Sequence, residues 1–350
     1  MTTFEIDGRR IDRQTGVMII AEIGVNHDGQ LSRALELVHV ARDAGADAVK
    51  LQLFKADRLM SAQSKFAGYQ ESRVDAASPA EMLRGFELQP LELAAVVEEV
   101  RAAGMIPLAT PFSAADVEMV ESLCLPAVKI ASPDVVNRPL LERASQVGVP
   151  MLISVGAATI DEAGQCAAWL REWNTPFCFL HCVSSYPTPD EHAHLRWITE
   201  LSEQFVVPVG YSDHTVNPMA GALAVACGAT VIEKHLTYNR TAAGPDHATS
   251  ADGEQFAAYV RSIREAERLC GNRGKRVLAI ERDVRTVSRQ SVVLTRDVST
   301  GEAIGAADLV LQRPGTGIPA AALGRLVGKR VSRAIRAGTL LQWDMLADVA

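Results

Sequence analysis

The stretch Val17–Leu53, VMIIAEIGVNHDGQLSRALELVHVARDAGADAVKLQL, decides the fold. It opens with an apolar run of strand length, Val17–Gly24, and a polar turn follows. Leu31, Ala34, Leu35, Val38 and Ala41 then fall on one face at helical spacing, so Leu31–Ala44 predicts an amphipathic helix. Ala44-Gly45-Ala46 stops it. A second apolar run, Ala48–Leu53, predicts the next strand. Strand, helix and strand in that order imply two parallel strands joined by a right-handed crossover.

The unit recurs along the chain. Further strand candidates are Met105–Pro111, Ala127–Ser132, Pro150–Gly156, Phe177–Cys182, Val206–Asp213 and Ala229–Thr237. Helix-like segments separate most of them; Leu91–Ala103, for example, ends at Gly104. Eight such repeats predict an α/β fold of the (β/α)8 TIM-barrel type over residues 1–270. An open doubly wound sheet is the runner-up. It would normally carry a GxGxxG turn after its first strand, and AEIGVNHDG lacks that spacing. Residues 271–285 read as a linker, and 286–350 as a small, mostly-β module of short strands and turns. The long polar insertion Phe54–Met82 follows the second strand, where a barrel loop would cover the catalytic end as a lid.

Composition narrows the function. The 350 residues carry a net charge of −7, which argues against a nucleic-acid partner. The N-terminus, MTTFEIDGRR, has no secretory apolar region, and runs such as Val17 to Ala21 are far too short to span a membrane. A soluble, cytoplasmic protein is expected. None of the six cysteines forms a CxxC pair, and free thiols are expected. Cys178 and Cys182 lie four apart on one strand, facing the same way, and read as core packing rather than a metal site.

Polar residues collect at the ends of the predicted strands. These are Glu22, Asn26 and His27; Lys50 and Gln52; Thr110; Lys129 and Ser132; Ser154; His181, Ser184 and Tyr186; Ser212, Asp213 and His214; and Glu233, Lys234 and His235, with Asp246 and His247 beyond. Barrel enzymes build their sites at this end. Charges at matching places on most strands are hard to explain structurally, because buried unpaired charge is costly. Lys50 and Lys129 sit within apolar runs, AVKLQL and AVKIAS. A buried ion pair or a Schiff-base lysine would account for them. With Thr110, Ser132, Ser154 and Ser212, however, they also suit a cradle for a dianionic, oxygen-rich ligand, and that reading is preferred. His214 and His235 end adjacent strands and are the metal candidates; two imidazoles plus water suit Mn2+, Fe2+ or Zn2+. His39, His192 and His194 fall on helices or loops and are expected to be solvated.

These residues lie in strings that resemble the bacterial N-acetylneuraminate (sialic acid) synthases and their relatives that make pseudaminic and legionaminic acids. The strings are AEIGVNHDG, AGADAVKLQ, ATPFS, VKIASPDVVNRPLL, HCVSSYPTP, GYSDHT, VIEKHLT and GPDH, and they run through almost the whole chain. The tail resembles that family's antifreeze-like, or SAF, domain, with LQRPGTGI as its signature.

The resemblance implies a transferase that condenses phosphoenolpyruvate with the aldehyde of an N-acylated amino sugar, giving a nonulosonic acid and phosphate. It implies that Lys50, Thr110, Lys129, Ser132, Ser154 and Ser212 hold phosphoenolpyruvate, with Ser184, Asp213 and Lys234 in the same substrate site. His214 and His235 would bind a divalent metal, manganese first, with magnesium or cobalt as the other candidates. Glu22, Tyr186 and Asp246 would face the sugar and Glu233 the reacting centre. The resemblance also implies a domain-swapped homodimer, in which Arg313 reaches a partner's sugar site.

The chain departs from the family's usual strings in places. VKFQ reads VKLQ, STGMAT reads SVGAAT, EKHFT reads EKHLT, a Leu-Asp-Arg string reads Tyr238-Asn239-Arg240, KRP reads QRP at Gln312, and Asp134 stands where some relatives have Glu. The proposed phosphate and metal groups all remain, so the departures bear on which sugar is taken. The alternatives are a Schiff-base aldolase using Lys129 and a non-catalytic carbohydrate-binding homologue.

Overall fold

The computed structural model describes residues 4–12, 15–66, 76–271 and 274–347. The chain divides into two compact units, Met1–Asn272 and Arg273–Ala350.

In the first unit eight parallel strands close into a barrel. They are β1 (Met18–Glu22), β2 (Ala48–Leu53), β3 (Ile106–Pro111), β4 (Val128–Ile130), β5 (Met151–Ser154), β6 (Phe177–Cys182), β7 (Val209–Asp213) and β8 (Val231–His235). β8 closes the ring on β1, with Val231 opposite Met18 and His235 opposite Glu22. Each strand leads to a helix: α1 (Leu31–Ala44), α2 (Pro90–Ala102), α3 (Val117–Ser122), α4 (Arg138–Ser145), α5 (Ile160–Glu172), α6 (Trp197–Phe205), α7 (Ala220–Ala226) and α8 (Gly253–Cys270).

Local chemistry sets these boundaries. α1 buries Ala34, Leu37, Val38 and Ala41 and stops at Gly45, whose φ of 87° closes the last turn onto the Ala41 and Arg42 carbonyls. Leu35, expected on the buried face, is only half-buried, and Leu37 takes the deeper place. α5 starts with a reciprocal cap: the Glu162 N–H donates to Thr159 Oγ1 and the Thr159 N–H to Glu162 Oε2.

Strand side chains alternate between two cores. Ile19, Ala21, Val49, Leu51, Phe179 and Ile232 face the helices. Met18, Ile20, Ala48, Leu108, Ala127, Leu152, Cys178, Leu180 and Val231 fill the barrel. A small hairpin, Glu5–Ile6 with Arg9–Arg10, adds Phe4, Ile6 and Ile11 to that inner cluster. The inner packing leaves no slack at Gly210, where an added Cβ would lie 2.5 Å from both Leu180 Cδ2 and the Val231 carbonyl.

After β2 the insertion forms two short helices, Ala56–Leu59 and Pro79–Arg84. Phe54, Ala56, Met82 and Leu83 pack there with Val25. The middle of the expected lid, 67–75, lies outside the described residues. Among the described residues no helix is long and apolar enough to cross a membrane.

The second unit begins with a helix, α9 (Arg282–Ser288), so the segment read as a linker is partly helical. An antiparallel pair follows, β9 (Ser291–Leu294) with β10 (Leu309–Gln312). Val292, Leu294, Val298, Ile304, Ile318, Leu326, Val331, Ile335 and Leu341 form its own core.

Candidate active site

Two residues beyond each inward apolar side chain, the same alternation presents a polar one. Glu22 follows Ile20, Lys50 follows Ala48, Thr110 follows Leu108, Lys129 follows Ala127, Ser154 follows Leu152 and Glu233 follows Val231. All six are buried. The barrel thus changes from an apolar plug to a charged layer within one step along the strands. Above this layer a cavity of about 310 Å3 opens, lined by Lys50, Thr110, Lys129, Ser132, Ser154, Cys182, Ser184, Tyr186, Ser212, His214, Glu233, His235 and Asp246.

The charged layer is cross-linked. Lys50 Nζ forms an ion pair with Glu22, donates to Thr110 Oγ1 at 3.0 Å and lies 3.7 Å from Glu233 Oε2. Lys129 Nζ donates to Ser154 Oγ at 2.8 Å and lies 3.7 Å from Glu233 Oε1. The Ser212 hydroxyl donates to Glu233 Oε1 at 2.8 Å, whereas Glu233 Oε2 is buried without a hydrogen bond among the described residues. Two ammoniums and two carboxylates therefore share one buried layer.

Their environments push the two carboxyls apart. Burial raises Glu22 above the usual carboxylate range, and Glu233 raises it further, against Lys50 and Lys129. Burial also opposes ionisation of Glu233, but Lys129, Lys50 and the Ser212 hydroxyl outweigh it and hold Glu233 at about 2. Burial lowers Lys129 and the Lys50 charge adds to this, against Glu233. Burial would lower Lys50 as well, but Glu22 and Glu233 raise it above the ordinary lysine value.

His214 and His235 stand at the rim with ring centroids 5.6 Å apart. His214 Nδ1 is 2.8 Å from the Val183 carbonyl, which fixes Nδ1–H as the donor and leaves the Nε2 lone pair for a ligand. Burial holds His235 well below its usual value, and the charges of His214 and Lys50 push the same way. Burial would lower His214 as well, but Cys182, the Val183 carbonyl and Glu233 raise it above the ordinary histidine value. His235 Nδ1 lies 3.6 Å from Asp246 Oδ2. The Tyr186 ring tilts over His214 at 4.1 Å and meets His235 edge-on at 6.0 Å. Two imidazoles are suitable donors for a borderline divalent ion once both are deprotonated at the coordinating nitrogen. No group of three or more His, Cys, Asp or Glu at metal-holding spacing occurs among the described residues, so other ligands would be water or substrate oxygens.

Three predicted site residues of the barrel do not line the cavity: Glu22, Asp213 and Lys234. Glu22, expected to face the sugar, is instead fully buried against Lys50. Asp213 and Lys234 are one residue out of phase with Ser212 and Glu233, so they face the helices. There Lys234 Nζ donates to Asp213 Oδ2 at 2.9 Å. His181 is turned outward in the same way; it stacks on Tyr211 and its Nε2 bonds to the Ala193 carbonyl. Arg313 lies in the second unit, immediately after β10. Cys178 and Cys182 do share a face: the first belongs to the inner plug and the second lines the cavity.

Two glycines were missed. A Cβ at Gly156 would lie 2.6 Å from Ser184 Oγ, 2.9 Å from Ser132 Oγ and 3.0 Å from Cys182 Sγ, so its absence keeps the hydroxyl cradle open. The Gly156 N–H also donates to Ser132 Oγ at 3.0 Å. A Cβ at Gly24 would collide with the carboxylate of Glu22 and the amide of Gln52. The one hint in the sequence is that each follows a strand by two residues.

A closed (β/α)8 barrel with this charged, hydroxyl-rich mouth defines an enzyme of the TIM-barrel class. The chain belongs to the NeuB family, whose model matches residues 37–275, and it carries a SAF domain over 289–347. It is 37% identical over 332 residues to N,N'-diacetyllegionaminic acid synthase of Legionella pneumophila, covering 93% of each chain. It is 33% identical to human N-acetylneuraminate-9-phosphate synthase, covering 93% of this chain and 91% of that one. Among solved structures, the N-acetylneuraminic acid synthetase of Leptospira borgpetersenii in complex with citrate superposes with a TM-score of 0.74 at 30% identity, covering 81% of this chain and 95% of that one.

Proposed function

We propose that this chain is a nonulosonic-acid synthase that condenses phosphoenolpyruvate with the open aldehyde of an N-acylated amino sugar and releases phosphate. The observation that carries this reading is the buried layer of Lys50 and Lys129, flanked by the hydroxyls of Thr110, Ser132, Ser154 and Ser212, with the imidazoles of His214 and His235 lining the same cavity. Phosphate and carboxylate on one small molecule suit that cradle. The acid synthases among the relatives support the reaction class.

Each residue then has a task. Lys50 and Lys129 neutralise the phosphate and carboxylate, and the hydroxyls orient them. Tyr186, Asp246 and Ser184 hold the sugar at the rim, so that its aldehyde carbon faces C3 of phosphoenolpyruvate. Bond formation at C3 leaves positive charge at C2. Water adds there, and phosphate departs by C–O cleavage. Glu233, held by Ser212, would stabilise that charge and orient the water; Glu22, buried against Lys50, would hold that lysine in place. His214 and His235 would hold a divalent ion, manganese first, and such an ion supplies Lewis acidity toward the aldehyde oxygen. The assembly that the reading carries is a domain-swapped homodimer in which a partner chain presents its Arg313 to the sugar.

The test is phosphate release from phosphoenolpyruvate with Mn2+ and a panel of N-acylated hexosamines. Release with one sugar, abolished by chelation, is expected. No release with any sugar, together with no phosphoenolpyruvate binding, would sink the reading. The downward pull on Lys129 would also suit an imine-forming lysine. Borohydride with substrate would trap a covalent adduct only under that second reading.

A further inference from the structure

Asp213 and Lys234 face away from the cavity, yet both are buried, and together with Tyr259 of α8 they form a closed polar cluster behind the sheet. Asp213 accepts four hydrogen bonds: from Tyr211 Oη, the Thr215 N–H, Tyr259 Oη at 2.7 Å and Lys234 Nζ. Lys234 Nζ also donates to the Thr215 carbonyl and lies 5.1 Å from the centre of the Tyr259 ring. Both polar groups of the Thr215 backbone are thus clamped, one by each member of the ion pair. The ring of Tyr259 has no slack, since a Cβ on Gly221 of α7 would lie 2.5 Å from it.

The clamp sits beside the imidazoles. Asp213 immediately precedes His214, and Thr215 immediately follows it; Lys234 immediately precedes His235. Asp213 and Lys234 are also register partners across β7 and β8. The same charge pair therefore fixes the sliding of one strand against the other and the peptide groups on either side of Thr215, the first of which joins it to His214. Burying an ion pair is costly, and apolar residues of similar volume would stabilise the layer as well or better. Stability alone does not require this arrangement. Precise placement of the two rings gives it a use, since residues behind metal ligands set their orientation.

We propose that Asp213, Lys234 and Tyr259 are positioning residues, forming a clamp outside the barrel wall that sets the separation of His214 and His235 and so the affinity of the site for a divalent ion. This rests on the two-histidine reading given above. In the full-length protein, Mn2+ affinity would be followed by electron paramagnetic resonance of the free ion. Ligand geometry would be read from the visible spectrum of the Co2+ form, and phosphoenolpyruvate affinity by calorimetry without metal. Lys234→Met and the milder Tyr259→Phe should each weaken Mn2+ binding ~10-fold or more and displace the Co2+ bands, while phosphoenolpyruvate affinity stays within ~2-fold. As a control, Arg264→Met breaks the Arg264–Asp47 ion pair, which bonds to the start of β1 far from the histidines in sequence and register. It should lower the melting temperature and leave Mn2+ affinity unchanged. Unchanged Mn2+ affinity and Co2+ spectrum in folded Tyr259→Phe would overturn the proposal, as would an equal loss of Mn2+ affinity in the control. A parent protein that binds no Mn2+ would overturn the two-histidine reading and this proposal with it; binding that survives in both clamp variants would overturn this proposal alone.

Discussion

An added methyl group at Gly156 would sit within 3.0 Å of the Ser184 and Ser132 hydroxyls and the Cys182 sulfur. Those groups line the cavity, so the methyl would occupy space meant for ligand oxygens. Gly156→Ala should weaken phosphoenolpyruvate binding about tenfold, or about 1.4 kcal/mol, with little change in melting temperature; calorimetry alongside a melt would check it. A second residue, Asp28, ties the turn after β1 to the loop that carries Asp246. It accepts from Tyr238 Oη at 2.8 Å, lies 2.9 Å from His247 Nε2 and pairs with Arg33. Burial alone would raise its pKa, but the hydrogen bonds from His247 and Tyr238 and the nearby positive charges outweigh this and hold it below the usual value. A carboxylate depressed on folding stabilises the native state above its unfolded value and loses that contribution as pH falls through its folded value. Asp28→Asn should therefore be less stable than the parent at pH 7, and the gap should close as the pH drops below the ordinary aspartate range. Urea melts across that window would show it, and a gap independent of pH would refute it. The make-up of the cavity was legible in the residue types: Lys50, Thr110, Lys129, Ser154, Glu233, His214 and His235 line it, and Glu22 is paired with Lys50 behind them. Asp213 and Lys234 were placed in the site because they adjoin true lining residues, although parity along a strand sends neighbours to opposite faces.

At the scale of elements, the repeat in Val17–Leu53 carried most of the architecture. β2 and β6 match the predicted runs residue for residue. The other strands are shorter than their apolar runs, because the ladder ends where the flanking residues turn into loops or caps. β4, for instance, keeps only Val128–Ile130 of Ala127–Ser132, since Ser132 opens a 3-10 turn. The short helices after β2 and the helix α9 were not legible, since their stability comes from packing rather than from a long periodic pattern. Gly210 shows how tightly the inner elements fit: its missing side chain lets β6 and β8 approach β7. Gly210→Ala should cost about 1–3 kcal/mol through overpacking, visible as a lower urea midpoint. Full parental stability would mean that the barrel relaxes around the methyl.

At the scale of the molecule, the domain-swapped reading makes a test that no single chain can imitate. A Lys129→Ala chain and an Arg313→Ala chain should each be nearly inactive. Unfolded and refolded together, they should recover about a quarter of parental activity, because half the dimers are mixed and each mixed dimer keeps one complete site of two. No recovery would place Arg313 in its own chain's site or outside catalysis. The barrel's lower half bears on kinetics in another way. Met18, Ile20, Leu108, Leu152, Leu180 and their neighbours fill it, and Phe4, Ile6 and Ile11 pack against them, so the charged layer is the floor of a well with its opening at the histidine rim. A well admits its occupants in sequence. The molecule that settles on Lys50 and Lys129 must enter before the one held at the rim, and whatever is left on the floor must wait for the rim to clear. The reaction should accordingly run as a queue: phosphate competing with phosphoenolpyruvate alone, and the sugar unable to bind productively until the floor is taken.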